Sequence, residues 1–380
     1  MRTLLAALVV ALAAGVGLAA DKPIIKPSGK PVDLVICLDV SGSMQGLIDS
    51  AKLKLWDIVN ELATVKPTPR LRVAIYSYGG QGGEYTIANG YTRKEVDLTT
   101  DLDKVYEKLN ALRITGHDEY VTGVSKRAPT EQDFSKDKHA LKLIFVCGNE
   151  EADQDPKVKL ANLAKLTKEM DVIVNTIYCG PENDTIAPGW KAVAEQCGGK
   201  FASINMNKAG ATVVATPFDK DLNALSGKLN GTYLFYGKAH EELKQNQVAQ
   251  DSNATKAALG AGAARAATKG GDLYRNTQDV IDKLAEDSKF DVNKLKDDEL
   301  PAELKKLKPE ERTALIKKKT EERAELQKQI KELATKRAKH IEDETRKAPK
   351  DASEKSLDDA LKATIRTQAK DKGFEVPEKK

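Results

Sequence analysis

A chain of 380 residues with 61 basic and 57 acidic side chains, formal charge +4, has the length of about two domains and lacks the basic excess that nucleic-acid backbones require. Aromatic residues at 5% and charged residues at 31% exclude one uniform core along the whole length. The charge is uneven: 26 basic and 26 acidic residues lie up to Pro217, while 35 and 31 crowd into the 163 residues after it.

Arg2, the apolar run Leu4 to Leu18 and the small residues Gly17 to Ala20 read as a secretory signal over residues 1–20, cut after Ala19 or Ala20. The rival is an uncleaved anchor, but a spanning helix needs ~20 apolar residues and this run is shorter. No cysteine stands at the cut, so lipid attachment is not expected, and the mature chain is expected to be secreted or periplasmic without a membrane span. Residues 21–31 are a linker.

From Val32 to about Gly237 the chain alternates short apolar runs with amphipathic helices. Val32–Leu38, Leu71–Tyr78, Leu141–Val146 and Val172–Tyr178 are continuous in branched residues, as strands buried on both faces are. Leu47, Ala51, Leu55, Ile58 and Leu62 mark one helix, and Leu102, Val105, Leu109 and Leu112 another, which Asp101 opens. Helices follow at 158–170 and 189–196, a strand at Phe201–Ile204, a closing helix at Asp219–Asn230 and a short apolar segment at Thr232–Tyr236. Trp56 and Trp190 lie on helices, where core packing is the expected role. The order specifies an α/β fold, doubly wound around a mostly parallel sheet.

Beyond Gly237 the pattern becomes helical and charged over 238–346. Ala249–Lys269 is rich in alanine, and Glu310–Glu344 carries a narrow seam of Ile316, Leu326, Ile330 and Leu333, interrupted by Lys319, Arg323 and Arg337. Those interruptions weaken a coiled coil and leave a long helix or helical hairpin packed on its neighbours, with homo-oligomerisation through it as the rival. Interleaved charge speaks against nucleic acid or membrane. The tail 347–380 has the composition of a poorly ordered end.

The chemistry concentrates at the end of the first strand. Asp39, Ser41 and Ser43 follow an all-apolar run and precede a helix, which places carboxylate and hydroxyl oxygens at the carboxyl edge of the sheet, where open α/β folds bind ligands. Such oxygens suit a hard cation, Mg²⁺ or the similar Mn²⁺ or Ca²⁺. The plainer alternative is that the serines cap the helix. Enzyme signatures are weaker. Gly42-Ser43-Met44 is not a nucleophile elbow, no phosphate-binding glycine loop follows the first strand, and His117 is a lone loop histidine. Glu150, Glu151, Asp153 and Asp155 form an acidic run near the same edge.

The string Asp39-Val40-Ser41-Gly42-Ser43 resembles the metal-ion-dependent adhesion site of von Willebrand factor type A domains, and the element order over a little more than half the chain fits their fold. The resemblance implies that the serines bind a metal directly, that the aspartate acts through water and that a protein partner's carboxylate completes the shell. It implies binding or adhesion more often than catalysis. Two loops depart from the family's pattern. Gly148 stands where many members carry aspartate, so Asn149 or Glu150 would supply the oxygen, as in a subgroup of secreted bacterial members. In the second loop Thr115, Asp118 or Glu119 would serve. A metal-assisted hydrolase using His117 or Glu119, and a scaffold oligomerising through the C-terminal helices, are the alternative functions.

Four cysteines allow three pairings. Cys179–Cys197 is the expected bridge, with Cys37 and Cys147 as buried thiols, and a Cys37–Cys147 pair across neighbouring strands is its rival. Without a CxxC pair, zinc is not expected.

Overall fold

The computed structural model describes residues 29–116, 118–204, 213–347 and 357–377. The expected signal segment, His117 and most of 205–216 lie outside them. Strand β1 (Pro31–Asp39) is buried along its whole length, and the chain then runs through α1 (Gln45–Thr64), β2 (Arg70–Tyr78), β3 (Thr92–Thr99), α2 (Leu102–Ala111), α3 (Val121–Glu131) and β4 (Leu141–Gly148). It continues through α4 (Leu160–Glu169), β5 (Ile173–Tyr178), α5 (Ala187–Gln196) and β6 (Gly198–Ser203). The six strands lie in the order β3-β2-β1-β4-β5-β6, all parallel except the antiparallel edge strand β3. This is the doubly wound α/β arrangement, and the sequence order reverses beside β1.

The sheet separates two apolar layers. Leu34, Ile36 and Leu38 of β1 face α1 and α2, whereas Val35 and Cys37 face α3, α4 and α5. That alternation decides the cysteines. All four are free and buried. Cys37 aligns with Val146, not with Cys147, so the side chains of Cys37 and Cys147 enter opposite layers. Cys179 and Cys197 are likewise divided between the two layers. Both pairings expected from the sequence would have to cross the sheet.

Helices α6 (Asp219–Asn230), α7 (His240–Ala257), α8 (Leu259–Lys269), α9 (Val280–Glu286) and α10 (Pro309–Lys347) form the second half. The alanine-rich stretch is small because α8 is closely hemmed in. A Cβ at Gly262 would stand 2.3 Å from Asn223 Oδ1, and one at Gly270 2.4 Å from Ile330 Cγ2. Arg265 of α8 pairs with Asp103 of α2 and Asp251 of α7, each at 2.6 Å, and lies 4.7 Å from the centroid of the Trp56 ring in α1, tying the helices to the sheet's own layer.

The seam of α10 is covered by this chain. Leu326 and Ile330 are buried in the layer shared with α6 and α8. The basic interruptions are buried with them: Arg323 bonds Asp279 at 2.8 Å, and Arg337 bonds Asp219 at 2.9 Å. Among the described residues no helix is long and apolar enough to cross a membrane.

Two further expectations differ from the structure. Asp219–Asn230 packs on α7, α8 and α10 and does not close the sheet. Its place over α1 and β6 is taken by α11 (Leu357–Asp371), from the segment whose composition suggests a poorly ordered tail. Leu357, Leu361 and Ile365 recur every four residues and are buried, and Phe374 follows them into the same layer. Gln368 and Asn175 of β5 exchange buried amide bonds of 2.7 and 3.0 Å, and Glu375 pairs with Lys66.

Candidate functional site

At the carboxyl edge β1 ends in Asp39, and the chain turns through Val40–Met44 into α1. The N-cap of α1 is Met44, with no side-chain capping bond, so neither Ser41 nor Ser43 caps the helix. Asp39 is fully buried, and its Oδ1 accepts from Ser41 N at 2.7 Å. Its Oδ2 and Ser41 Oγ are buried without hydrogen-bond partners. Buried polar atoms are nearly always satisfied, so two orphaned oxygens side by side ask for a ligand.

The second loop brings Glu119 to this point. A Cβ at Gly79 would stand 2.7 Å from Glu119 Cγ and 3.0 Å from Asp39 Oδ1, so both residues crowd the same glycine, whose φ of 70° suits it to the turn. Burial pushes Asp39 up to about 7, against the backbone hydrogen bond from Ser41, and the charges of Glu119 and Glu150 push the same way as burial. Glu119 is raised by burial and by the charge of Glu150. Two carboxylates thus meet beside Gly79 next to the unpaired oxygens, and the charge of Glu150 acts on both.

The remaining expected residues divide. Ser43 is exposed and 3.2 Å from Asn149 Nδ2, so these two close one side of the loop. Thr115 Oγ1 accepts from Gln81 N at 3.0 Å, and its own N–H donates to Val40 O at 2.8 Å, joining three loops. Asp118 is exposed, its carboxylate accepting from Tyr120 Oη at 3.4 Å. Glu150 is half-buried, and its carbonyl accepts from Trp190 Nε1 at 2.7 Å. Among the described residues no three of His, Cys, Asp and Glu are grouped to hold a metal. The donors gathered here are hydroxyls with carboxylates.

The sequence reading missed Tyr78. Its hydroxyl donates to Cys147 O at 2.9 Å, and a Cβ at Gly148 would stand 2.3 Å from the Tyr78 hydroxyl oxygen and 3.0 Å from Asp39 Oδ2. Gly148 therefore has no room for an aspartate side chain. The tyrosine ending β2 was visible in the sequence, but its reach across two strands was not.

No protein-family model matches the chain, and no curated protein matches it. Among solved structures it is similar to proximal thread matrix protein 1 of the mussel byssus, at 12% identity and a TM-score of 0.36 over 47% of this chain and 43% of that one. The same byssus protein with a zinc-occupied MIDAS motif gives 13% and 0.37 over 47% and 43%. The SpRpn10 VWA domain gives 16% and 0.35 over 46% of this chain and 88% of that one, and the pilus adhesin SpaC of Lactobacillus rhamnosus GG 11% and 0.35 over 47% and 28%. The chain spans less than half the length of the byssus protein. Likenesses this distant carry no functional argument.

Proposed function

We propose that the chain is a metal-dependent protein-binding module of the von Willebrand factor A type, secreted or periplasmic once the leader is removed. Asp39, Ser41, Ser43 and Glu119 would hold a divalent cation, Mg²⁺ or the similar Mn²⁺ or Ca²⁺. The observation that carries this reading is the pair of buried, unpartnered oxygens, Asp39 Oδ2 and Ser41 Oγ, at the sheet's carboxyl edge. Hydroxyl and carboxylate oxygens are the donors a hard cation prefers. A bound cation would offset the facing carboxylates and present a Lewis-acidic point to a partner's carboxylate.

The chain's own residues prepare that point. Asp39 fixes the turn through Ser41 N, Thr115 ties the second loop to Val40, and Asn149 holds Ser43. In this reading the C-terminal helices brace the sheet, and an oligomer would use surfaces other than the covered seam of α10.

Calorimetric titration with Mg²⁺ and Mn²⁺ tests the reading on the double variant Ser41→Ala, Ser43→Ala. The expected outcome is saturable binding to the wild type and none to a variant whose circular dichroism and melting are unchanged. Equal affinity in the folded variant overturns it.

A further inference from the structure

Next to this site, α3, the loop after β4 and the first turns of α4 and α5 enclose a cleft of about 550 Å³. Its floor is apolar, with Ala152, Ile186 and Val193. Its walls bear Glu151, Asp153 and Asp155 against a single Lys159.

Asp155 is committed within the chain: Oδ1 accepts from Lys157 N at 2.8 Å, and Oδ2 lies 2.7 Å from where Gly123 would carry a Cβ in the first turn of α3. Glu151 and Asp153 are exposed and have no ion-pair partner among the described residues. The second observation is independent of the acids. Thr122 lines the cleft, is 3% exposed, and its Oγ1 has no hydrogen-bond partner. As the second residue of α3 it has no carbonyl four residues back within the helix to bond.

A hydroxyl awaiting a partner, two uncompensated carboxylates and an apolar floor suit several N–H donors at the end of an aliphatic stem. The cleft also adjoins the site. Glu151 follows Glu150 directly, and Trp190 of α5 bonds the Glu150 carbonyl, so the two share a wall. We propose that the cleft receives an arginine or lysine side chain of the same protein partner whose carboxylate meets the cation. The identity of the partner rests on the protein-binding reading above, but the cleft's affinity for a basic group does not require the metal.

Agmatine, an alkylguanidinium, tests this on the full chain by calorimetry and NMR shift mapping, with n-butanol as neutral, succinate as anionic and spermidine as polyamine comparators. Agmatine is expected to bind at millimolar strength, shifting the Thr122 and Asp153 amides. It should bind equally to the Ser41→Ala, Ser43→Ala variant, so failure of the metal reading leaves this result intact. The pair Glu151→Gln, Asp153→Asn should weaken it about tenfold, and Thr122→Val should weaken it without lowering the melting temperature. Absent agmatine binding, equal binding of butanol, preference for succinate at the neighbouring helix N-termini, or indifference to both variants overturns the proposal. Spermidine binding more than tenfold tighter overturns it in favour of a free polyamine.

Discussion

Two regions of the chain bury charge and treat it in opposite ways. In the helical half Arg323 meets Asp279 and Asp282, accepts the Tyr233 ring 3.9 Å from its guanidinium and donates to Thr232 O at 2.9 Å. Lys269 finds Asp251, Ser226 and Asn230. At the sheet edge Asp39 is buried as deeply, yet one of its oxygens and the neighbouring serine hydroxyl have nothing to bond. Desolvated charge is tolerated where the fold supplies its partners. Where it does not, the missing partner has to come from outside, which separates a structural network from a binding site.

The largest effect that could break this contrast lies in the helices. Arg323→Ala leaves Asp279, which is wholly buried, without its counter-charge and beside Asp282, which burial and the charge of Asp279 already push up to about 6. Removing one partner of a buried pair costs about 3–5 kcal/mol, so chemical denaturation should show a loss of that size. A loss under about 1 kcal/mol would mean that the paired network contributes no more than a surface salt bridge, and the contrast would fail.

The same contrast explains what the sequence disclosed. Strand β1 and the Asp39–Ser43 turn were legible because a parallel strand buried on both faces reads as an unbroken apolar run, and polar oxygens stand out at its end. Edge strand β3, Thr-Arg-Lys-Glu-Val-Asp-Leu-Thr, is too polar for that signature. Helix α3 contains Gly123 and Pro129, which depress its helical signal. Helix α11 was hidden by composition, although its three buried residues are spaced correctly; averaging over a charged segment erases a one-sided stripe. Arg323 and Arg337 looked like defects in a seam, because their aspartates lie 44 and 118 residues away. The cysteine pairing failed because strand adjacency says nothing about which face a residue takes. Glu119 was visible as a candidate but could not be separated from Asp118 or Glu150.

A smaller effect sharpens the comparison through pH. Burial pulls Lys269 down from 10.5 to about 8 despite the opposing charge of Asp251, with Arg265 pulling the same way as burial. Between these two values the unfolded chain holds the proton and the native chain does not, so this group makes stability rise with pH across the window. Over pH 8 to 9.5 the rise amounts to about 1.6 kcal/mol. The buried thiols and tyrosines, raised by burial, pull the other way once their unfolded counterparts ionise. The Lys269 contribution is therefore the difference between wild type and Lys269→Met in urea denaturation at pH 8.0 and 9.5. Wild type should gain relative to the variant; parallel behaviour would show Lys269 to be held fully charged by Asp251.

The smallest effect bears on which carboxylate answers the unpaired oxygens. The family pattern directs attention to the residues after Gly148, and thus to Asn149 and Glu150. The geometry favours Glu119. Its side chain lies over Gly79 beside Asp39, whereas Asn149 is turned to Ser43 and the Glu150 carbonyl is taken by Trp190. Tyr78 has taken the space above Gly148, so a carboxylate must enter from the opposite loop. Glu119→Gln keeps the shape and removes one charge, which should weaken Mg²⁺ about tenfold, close to 1.4 kcal/mol. Glu150→Gln should weaken it only a few-fold, because that residue acts on the site through its field. Both variants should keep the wild-type fold by circular dichroism. A reversed order in calorimetric titration would return the role to Glu150, and equal tenfold losses would mean that both carboxylates complete the site together.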